Sequence, residues 1–250
     1  MKTEPGEALT LVAPSYYRQF KCIAQCCRHS CCRGWEIDID PVSLERFKAL
    51  GVSGISEGPE TPHFVLTESG DCPHLRSDGL CELIIRHGES VLCDICRDHP
   101  RFRSFWTGRV EIGFGLSCEE AARMILGQAE PMRLECVGLC DPEGVELESC
   151  VPCDAPGYGD LPEDERWLMG LRERMFGEAA LYGDPMLARL AEYLIYRQLP
   201  DALYDGRLEE RIEFINRGIE EIAAAWERCG SFEERCEAAR SWSERNEYRV

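Results

Sequence analysis

Residues 22–32 read CIAQCCRHSCC and run directly into RGWEIDID at 33–40, which places five cysteines within eleven residues. Downstream, CPHL (72–75), GLC (79–81) and CDIC (93–96) supply four more, and Cys118 follows. The chain holds 16 cysteines in 250 residues, and fourteen of them fall between Cys22 and Cys153. In a secreted miniprotein such density means a disulfide framework, whereas in a chain kept reduced, clustered thiols bind metal. The opening residues MKTEPGEALTLVAPSYY carry acids and a proline where a secretory signal has a basic start and an unbroken apolar stretch. A cytoplasmic location and metal binding are therefore expected.

The spacings are Cys22-x3-Cys26-Cys27-x3-Cys31-Cys32, then Cys72-x8-Cys81-x11-Cys93-x2-Cys96. Short spacings bring two thiolates from one turn of chain, and a distant pair completes the shell. Side chains of adjacent residues in extended chain point to opposite sides. One member of Cys26-Cys27 and of Cys31-Cys32 is thus expected to ligate while the other packs. Arg97, Arg101 and Arg103 follow the CDIC segment closely and are candidates to offset an anionic thiolate centre. His74 and His99 lie beside cysteines in sequence and could join a metal shell. A thiolate set suits tetrahedral zinc and an iron–sulfur cluster alike. The C-x3-C-x2-C triplet of radical S-adenosylmethionine chemistry is absent.

A formal net charge of −18 argues against nucleic acid and against anionic membrane surfaces as partners. The same charge suits a basic, lysine-rich protein partner, and equally serves solubility. No apolar run reaches the roughly 20 residues that span a bilayer.

The chain reads as three zones. Residues 1–126 form a cysteine-rich metal- or iron–sulfur-binding region closed by a helix in CEEAARMILGQ, with Ser117 placed to cap it. Within it, EIDID at 36–40 alternates like a half-buried strand with Glu36, Asp38 and Asp40 on the wet face, and Asp40 is placed to cap SLERFKAL. Residues 127–162 are turn-rich and hold Cys136, Cys140, Cys150 and Cys153, whose pairing suggests a separate structural zinc. Residues 163–250 repeat apolar residues three and four apart in DERWLMGLRERMF, MLARLAEYLIYRQL, RLEERIEFINRGIEEIAAAWERC and SFEERCEAARSW. That period is helical. The expected fold class is mainly α, with an irregular, metal-organised N-terminal half and a helical C-terminal part.

The order FKC-x4-C-x3-CC-x-GW-x-I-x-ID, then CPHL, GLC, GES-x-LC-x2-CR-x2-PRF and EIGFGLSCEEAARMIL, resembles the flagellin lysine-N-methylase family. A weaker likeness extends through EYLIYRQLPDALYDGRLEERI, so the resemblance runs from about Tyr16 to Glu220. The cysteine core alone is also similar to small zinc- or iron-chelating proteins. The resemblance implies a ligand pool of Cys22, Cys27, Cys31, Cys32, Cys72, Cys81, Cys93, Cys96 and Cys118, leaving Cys26 out. It further implies an iron–sulfur cluster, expected as [4Fe–4S], S-adenosylmethionine as methyl donor, and lysines of flagellin or another protein as acceptors.

Methyl transfer needs groups that hold a sulfonium and an amine in line. Trp35 could stack on a sulfonium or a methylated ammonium, with core packing as the alternative. Arg97 and Arg101 could meet a carboxylate of the methyl donor. Glu111 is a further candidate. No G-x-G-x-G loop follows a strand, so a Rossmann-type donor pocket is not expected. Three functions stay open: a protein-lysine methyltransferase, which the resemblance implies and the residues alone do not; a non-catalytic zinc or iron–sulfur protein with a structural or partner-binding role; and, more weakly, a redox or metal-storage role resting on the free thiols.

Overall fold

The computed structural model describes residues 8–58, 61–147 and 161–247. Strands are β1 (Leu9–Pro14), β2 (Ile55–Ser56), β3 (His63–Phe64), β4 (Arg101–Trp106), β5 (Arg109–Phe114) and β6 (Leu134–Cys140). Helices are α1 (Pro41–Leu50), α2 (Glu82–His87), α3 (Asp94–Asp98), α4 (Glu119–Leu126), α5 (Glu163–Ala179), α6 (Pro185–Gln198), α7 (Ala202–Asp205), α8 (Leu208–Trp226) and α9 (Phe232–Asn246). Contacts divide the chain into two units, Lys21–His99 and the pair of segments Met1–Phe20 with Pro100–Val250.

The second of these is built on a four-stranded mixed sheet of order β4-β5-β1-β6. A tight turn at Thr107-Gly108 joins β4 to β5, with Gly108 at φ +75°, a conformation glycine adopts without steric cost. β1 enters from the far end of the sequence and pairs parallel with β5, Leu11 beside Val110. β6 runs antiparallel to β1, with a register shift between Leu11 and Val12. With helices at about 49% and strands at 16%, the fold is mixed rather than mainly α. The expectation missed the sheet because β5 is buried along its whole length yet carries Arg109 and Glu111, so its sequence does not look apolar. The turn-rich zone likewise contains β6.

The C-terminal helices match their expected segments closely. Asp184 caps α6 by accepting from the Met186 N–H at 2.9 Å, and Pro185 fills a first-turn position that has no helical acceptor to lose. Ser231 caps α9 by accepting from Glu234 N–H at 3.2 Å. α6 is buried nearly all round, with Leu190, Tyr193, Leu194 and Tyr196 at its centre. Its tyrosines reach the sheet and its margin: the Tyr196 hydroxyl donates to the Ile112 carbonyl at 3.1 Å, and Leu116 N–H donates to the Tyr193 hydroxyl at 3.1 Å. Gly218 of α8 allows Trp242 of α9 to close in, since a Cβ there would sit 2.7 Å from the indole. At α4 the cap position falls on Cys118 rather than the expected Ser117, and the Cys118 side chain makes no cap hydrogen bond. Among the described residues no helix is long and apolar enough to cross a membrane.

Glu111, fully buried, joins sheet to helix. It accepts from Arg109 Nη2 at 2.8 Å on its own strand and from both Arg172 amino nitrogens on α5. The Trp106 ring lies 5.8 and 5.4 Å from the two guanidinium carbons. Breaking such a set by removing its one anion leaves two buried cations. Glu111→Leu is therefore expected to cost ~3–5 kcal/mol of stability, read from the urea midpoint.

Glu192 of α6 is buried too, paired with Arg189 at 2.9 Å and accepting from Met132 N–H at 2.9 Å. Burial nevertheless holds its carboxyl above the ordinary glutamate range. A raised folded-state value means that the stabilising contribution is full below the unfolded pKa and is lost as pH rises through the folded one. Wild type should thus lose more stability than Glu192→Gln between pH ~4 and neutrality, measured by urea unfolding across that range.

Candidate metal centre

The unit Lys21–His99 has a small core: Ile37, Ile39, Phe47, Phe64, Leu83 and Val91 with Cys72 and Cys93. Cys32, Cys81 and Cys96 pack against it half-buried. Five of the nine thiols that the family resemblance implies therefore converge on one small core.

Local structure explains how. The EIDID alternation holds: Ile37 and Ile39 are buried while Glu36 and Asp38 are exposed, and Asp38 bridges to His63. Asp40 then caps α1, accepting from the Ser43 N–H at 2.8 Å. Its second oxygen accepts from the Asp94 N–H at 3.1 Å, which opens α3. Burial would push the Asp40 carboxyl up, but these hydrogen bonds outweigh it and hold it below its ordinary value. One carboxylate thus fixes the CDIC segment against α1. From the same helix Arg46 donates to the Val91 and Leu92 carbonyls at 3.3 and 3.1 Å, just before Cys93.

The earlier cysteines are placed by backbone pairing. Cys72 N–H donates to the Cys32 carbonyl at 2.8 Å, beside a bridge and ion pair between Arg33 and Asp71. Leu75 bridges to Cys81 across a turn in which Gly79 has φ +81°. Cys81 and Cys93 occupy the N-cap positions of α2 and α3.

The thiols affect one another's charge. Cys93 is pulled down to about 7 by a hydrogen bond from the Cys96 thiol, helped by the Cys96 N–H, and Cys96 is raised in consequence. Cys32 is pulled down to about 7 by the Cys31 thiol. Burial pushes Cys72 up to about 11 and also raises Cys81, against backbone hydrogen bonds from His74 and from Ile84 and Leu83 respectively. Negative charge on Cys32 and Cys93 adds to the rise at both. Thiols gathered in one place, with N–H groups on their sulfurs, repel each other as thiolates unless a cation joins them. This donor chemistry fits a soft metal ion or an iron–sulfur cluster. Among the described residues, no three His, Cys, Asp or Glu side chains already stand at metal-holding distance.

The remaining members of the set, and Cys26, are not part of that core. Cys22, Cys26 and Cys31 are exposed and Cys27 is half-buried, its thiol donating to the His29 carbonyl at 3.2 Å. Cys118 belongs to the other unit and packs against its core. His74 sits edge-on to Phe64 with ring centroids 4.9 Å apart, and burial lowers its pKa, as for a core histidine. In the proposed second zinc site, Cys136 is disulfide-bonded. Cys140 is buried on β6, its thiol donating to the Leu9 carbonyl at 3.6 Å and pushed up to about 11 by burial. Cys150 and Cys153 lie outside the described residues.

Trp35 is 37% exposed; its indole N–H donates to the Cys31 carbonyl at 2.7 Å and its ring lies 6.1 Å from that of His99. Arg97 pairs with Asp94 at 2.8 Å. Arg101 belongs to the other unit, where its guanidinium is 5.5–6.0 Å from the rings of Tyr17, Phe20 and Phe114 and donates to the Tyr17 hydroxyl. Glu111 is the buried structural anion described above. Sequence reasoning did not foresee Arg46 or the second hydrogen bond of Asp40. The D-P-x-S pattern at 40–43 announces one cap only.

No protein-family model matches the chain, and no solved structure does. Three curated proteins do. Lysine-N-methylase of Salmonella choleraesuis (strain SC-B67) is 26% identical over 140 residues, which cover 50% of this chain and 35% of that protein. Lysine-N-methylase of Salmonella typhimurium (strain LT2) matches at the same identity and coverage. Flagellar biosynthetic protein FliU of Salmonella muenchen is 24% identical over 139 residues, covering 50% of this chain and 82% of that protein. The matched stretch thus spans about a third of the two lysine-N-methylases, at 35% of their length. These relatives bear out the resemblance, and the chain is similar to the flagellin lysine-N-methylase family.

Proposed function

We propose that this chain is a protein-lysine N-methyltransferase that takes its methyl group from S-adenosylmethionine and holds an iron–sulfur cluster in the unit Lys21–His99. The likeness to the lysine-N-methylases carries the reading. Convergence of five thiols on one core supports the cluster. Cys32, Cys72, Cys81, Cys93 and Cys96 are the residues that would hold it. A cluster bound there supplies one-electron chemistry, together with folding free energy for a unit whose apolar core is small.

Methyl transfer to lysine is a displacement. The lone pair of a neutral amine forms the new N–C bond as the sulfonium C–S bond breaks. The departing thioether keeps the bonding pair, and the ammonium proton passes to solvent or to a carboxylate. Trp35 offers a partly exposed ring suited to a sulfonium. Flagellin, or another lysine-bearing protein, is the acceptor.

A second reading has its own support. Because the match covers only 35% of the lysine-N-methylases, the shared part could be a metal-binding module without catalysis, organised by zinc or an iron–sulfur centre.

Anaerobically purified protein is expected to be brown, with iron and acid-labile sulfide in proportion. Cys72→Ser and Cys93→Ser should each lose most of both, while Cys26→Ser keeps them. Colourless protein with stoichiometric zinc would select the second reading. With metal loaded, incubation with S-adenosylmethionine and flagellin should add single-methyl mass increments to lysines, seen by peptide mass spectrometry. Unmodified flagellin at full cluster content would sink the enzyme.

A further inference from the structure

An open groove of about 630 Å³ lies in the sheet-bearing unit, lined by Glu163, Asp164, Trp167 and Leu168 of α5 with Leu203 of α7 and Leu208 of α8. Glu163 and Trp167 are four residues apart on α5, as are Asp164 and Leu168, so each carboxylate stands one turn from an apolar side chain on the same side of the helix. Trp167 is 54% exposed, an unusual state for so large an apolar ring.

The carboxylates differ in what they already do. Glu165 accepts from both the N–H and the hydroxyl of Thr107. Asp201 and Asp205, next to and within α7, are paired with Arg197 and Arg211. Glu163 and Asp164 form no ion pair among the described residues, and Asp164 accepts only from its neighbour's N–H at 3.0 Å. An exposed indole beside two uncommitted carboxylates, over an apolar floor, is the combination that holds an alkylammonium group. The ring face and the carboxylates take the charge, and the floor takes the methylene stem. A cationic polypeptide segment is also what a chain of net charge −18 attracts over distance.

We propose that the α5–α7–α8 groove is a docking site for a lysine side chain on a basic protein segment, with Trp167, Glu163 and Asp164 as its recognition groups. As a placement for the acceptor protein it rests on the methyltransferase reading, although binding alone can be measured without it.

The test uses the whole 250-residue chain as purified and a blocked tri-lysine peptide, with the Nε-acetylated peptide as control, in isothermal titration calorimetry. Wild type is expected to bind the free peptide and not the acetylated one. Trp167→Ala and the pair Glu163→Gln with Asp164→Asn should each weaken binding about tenfold, while Trp167→Phe retains most of it. The double variant changes net charge only from −18 to −16, so diffuse attraction to the acidic surface would leave its affinity almost unaltered. All three positions are exposed, and unchanged circular dichroism and thermal midpoints would confirm folding. Variants that bind like wild type, or a wild type that does not discriminate the acetylated peptide, would overturn the site. Methylation separates the two claims. Binding lost in the variants of a protein that transfers no methyl group keeps the groove and removes the enzyme. Active protein whose variants keep both the KM for flagellin and the peptide affinity keeps the enzyme and removes the groove.

Discussion

The parallel pairing of β1 with β5 is the constraint on which the larger unit depends. β1 belongs to the first twenty residues of the chain, yet it sits inside the sheet, with Leu11 beside Val110 on one edge and β6 on the other. A central strand without its neighbours leaves two rows of peptide groups unsatisfied, and such groups are costly when buried. Once β1 is fixed there, Lys21–His99 becomes an excursion in sequence between two strands of one sheet. The buried Glu111 then joins the sheet to α5 through Arg172, so the strand that receives β1 also anchors the first C-terminal helix.

The excursion solves a different problem. Its core is a few aliphatic and aromatic residues, and a unit of this size buries too little apolar surface to be secure on hydrophobicity alone. Its cysteines are therefore part of the packing itself. Asp40 is the hinge of that arrangement: capping α1 with one oxygen and the first turn of α3 with the other, it sets the position of Cys93 and Cys96.

How much of this the residues announce depends on how local the signal is. α5, α6, α8 and α9 were legible because their 3.6-residue periodicity lies within the segments themselves. The EIDID alternation and the Asp40 cap were legible for the same reason. The sheet was not. RFRSFW and RVEIGF alternate only in part, and Arg109 and Glu111 read as surface charges although they neutralise each other inside. The cysteine set shows the same divide. Spacing identified Cys72, Cys81, Cys93 and Cys96 as a group, but Cys32 joins it through a backbone contact to Cys72 across forty positions of sequence, which no spacing rule contains.

Net charge is the property for which structure adds most. A value of −18 says that the surface is acidic and nothing about which acids are available. Many are engaged: Asp78 and Glu82 with Arg76, Glu237 and Glu244 with Arg240, Asp201 and Asp205 with Arg211. A carboxylate already paired with arginine has little left to offer a cation, because a second partner must share a field that is largely cancelled. Recognition of a basic segment therefore falls to acids that the fold leaves uncommitted and sets beside apolar surface. Glu163 and Asp164 meet that description next to Trp167, at the start of a helix whose N-terminal dipole favours negative charge there with or without a partner.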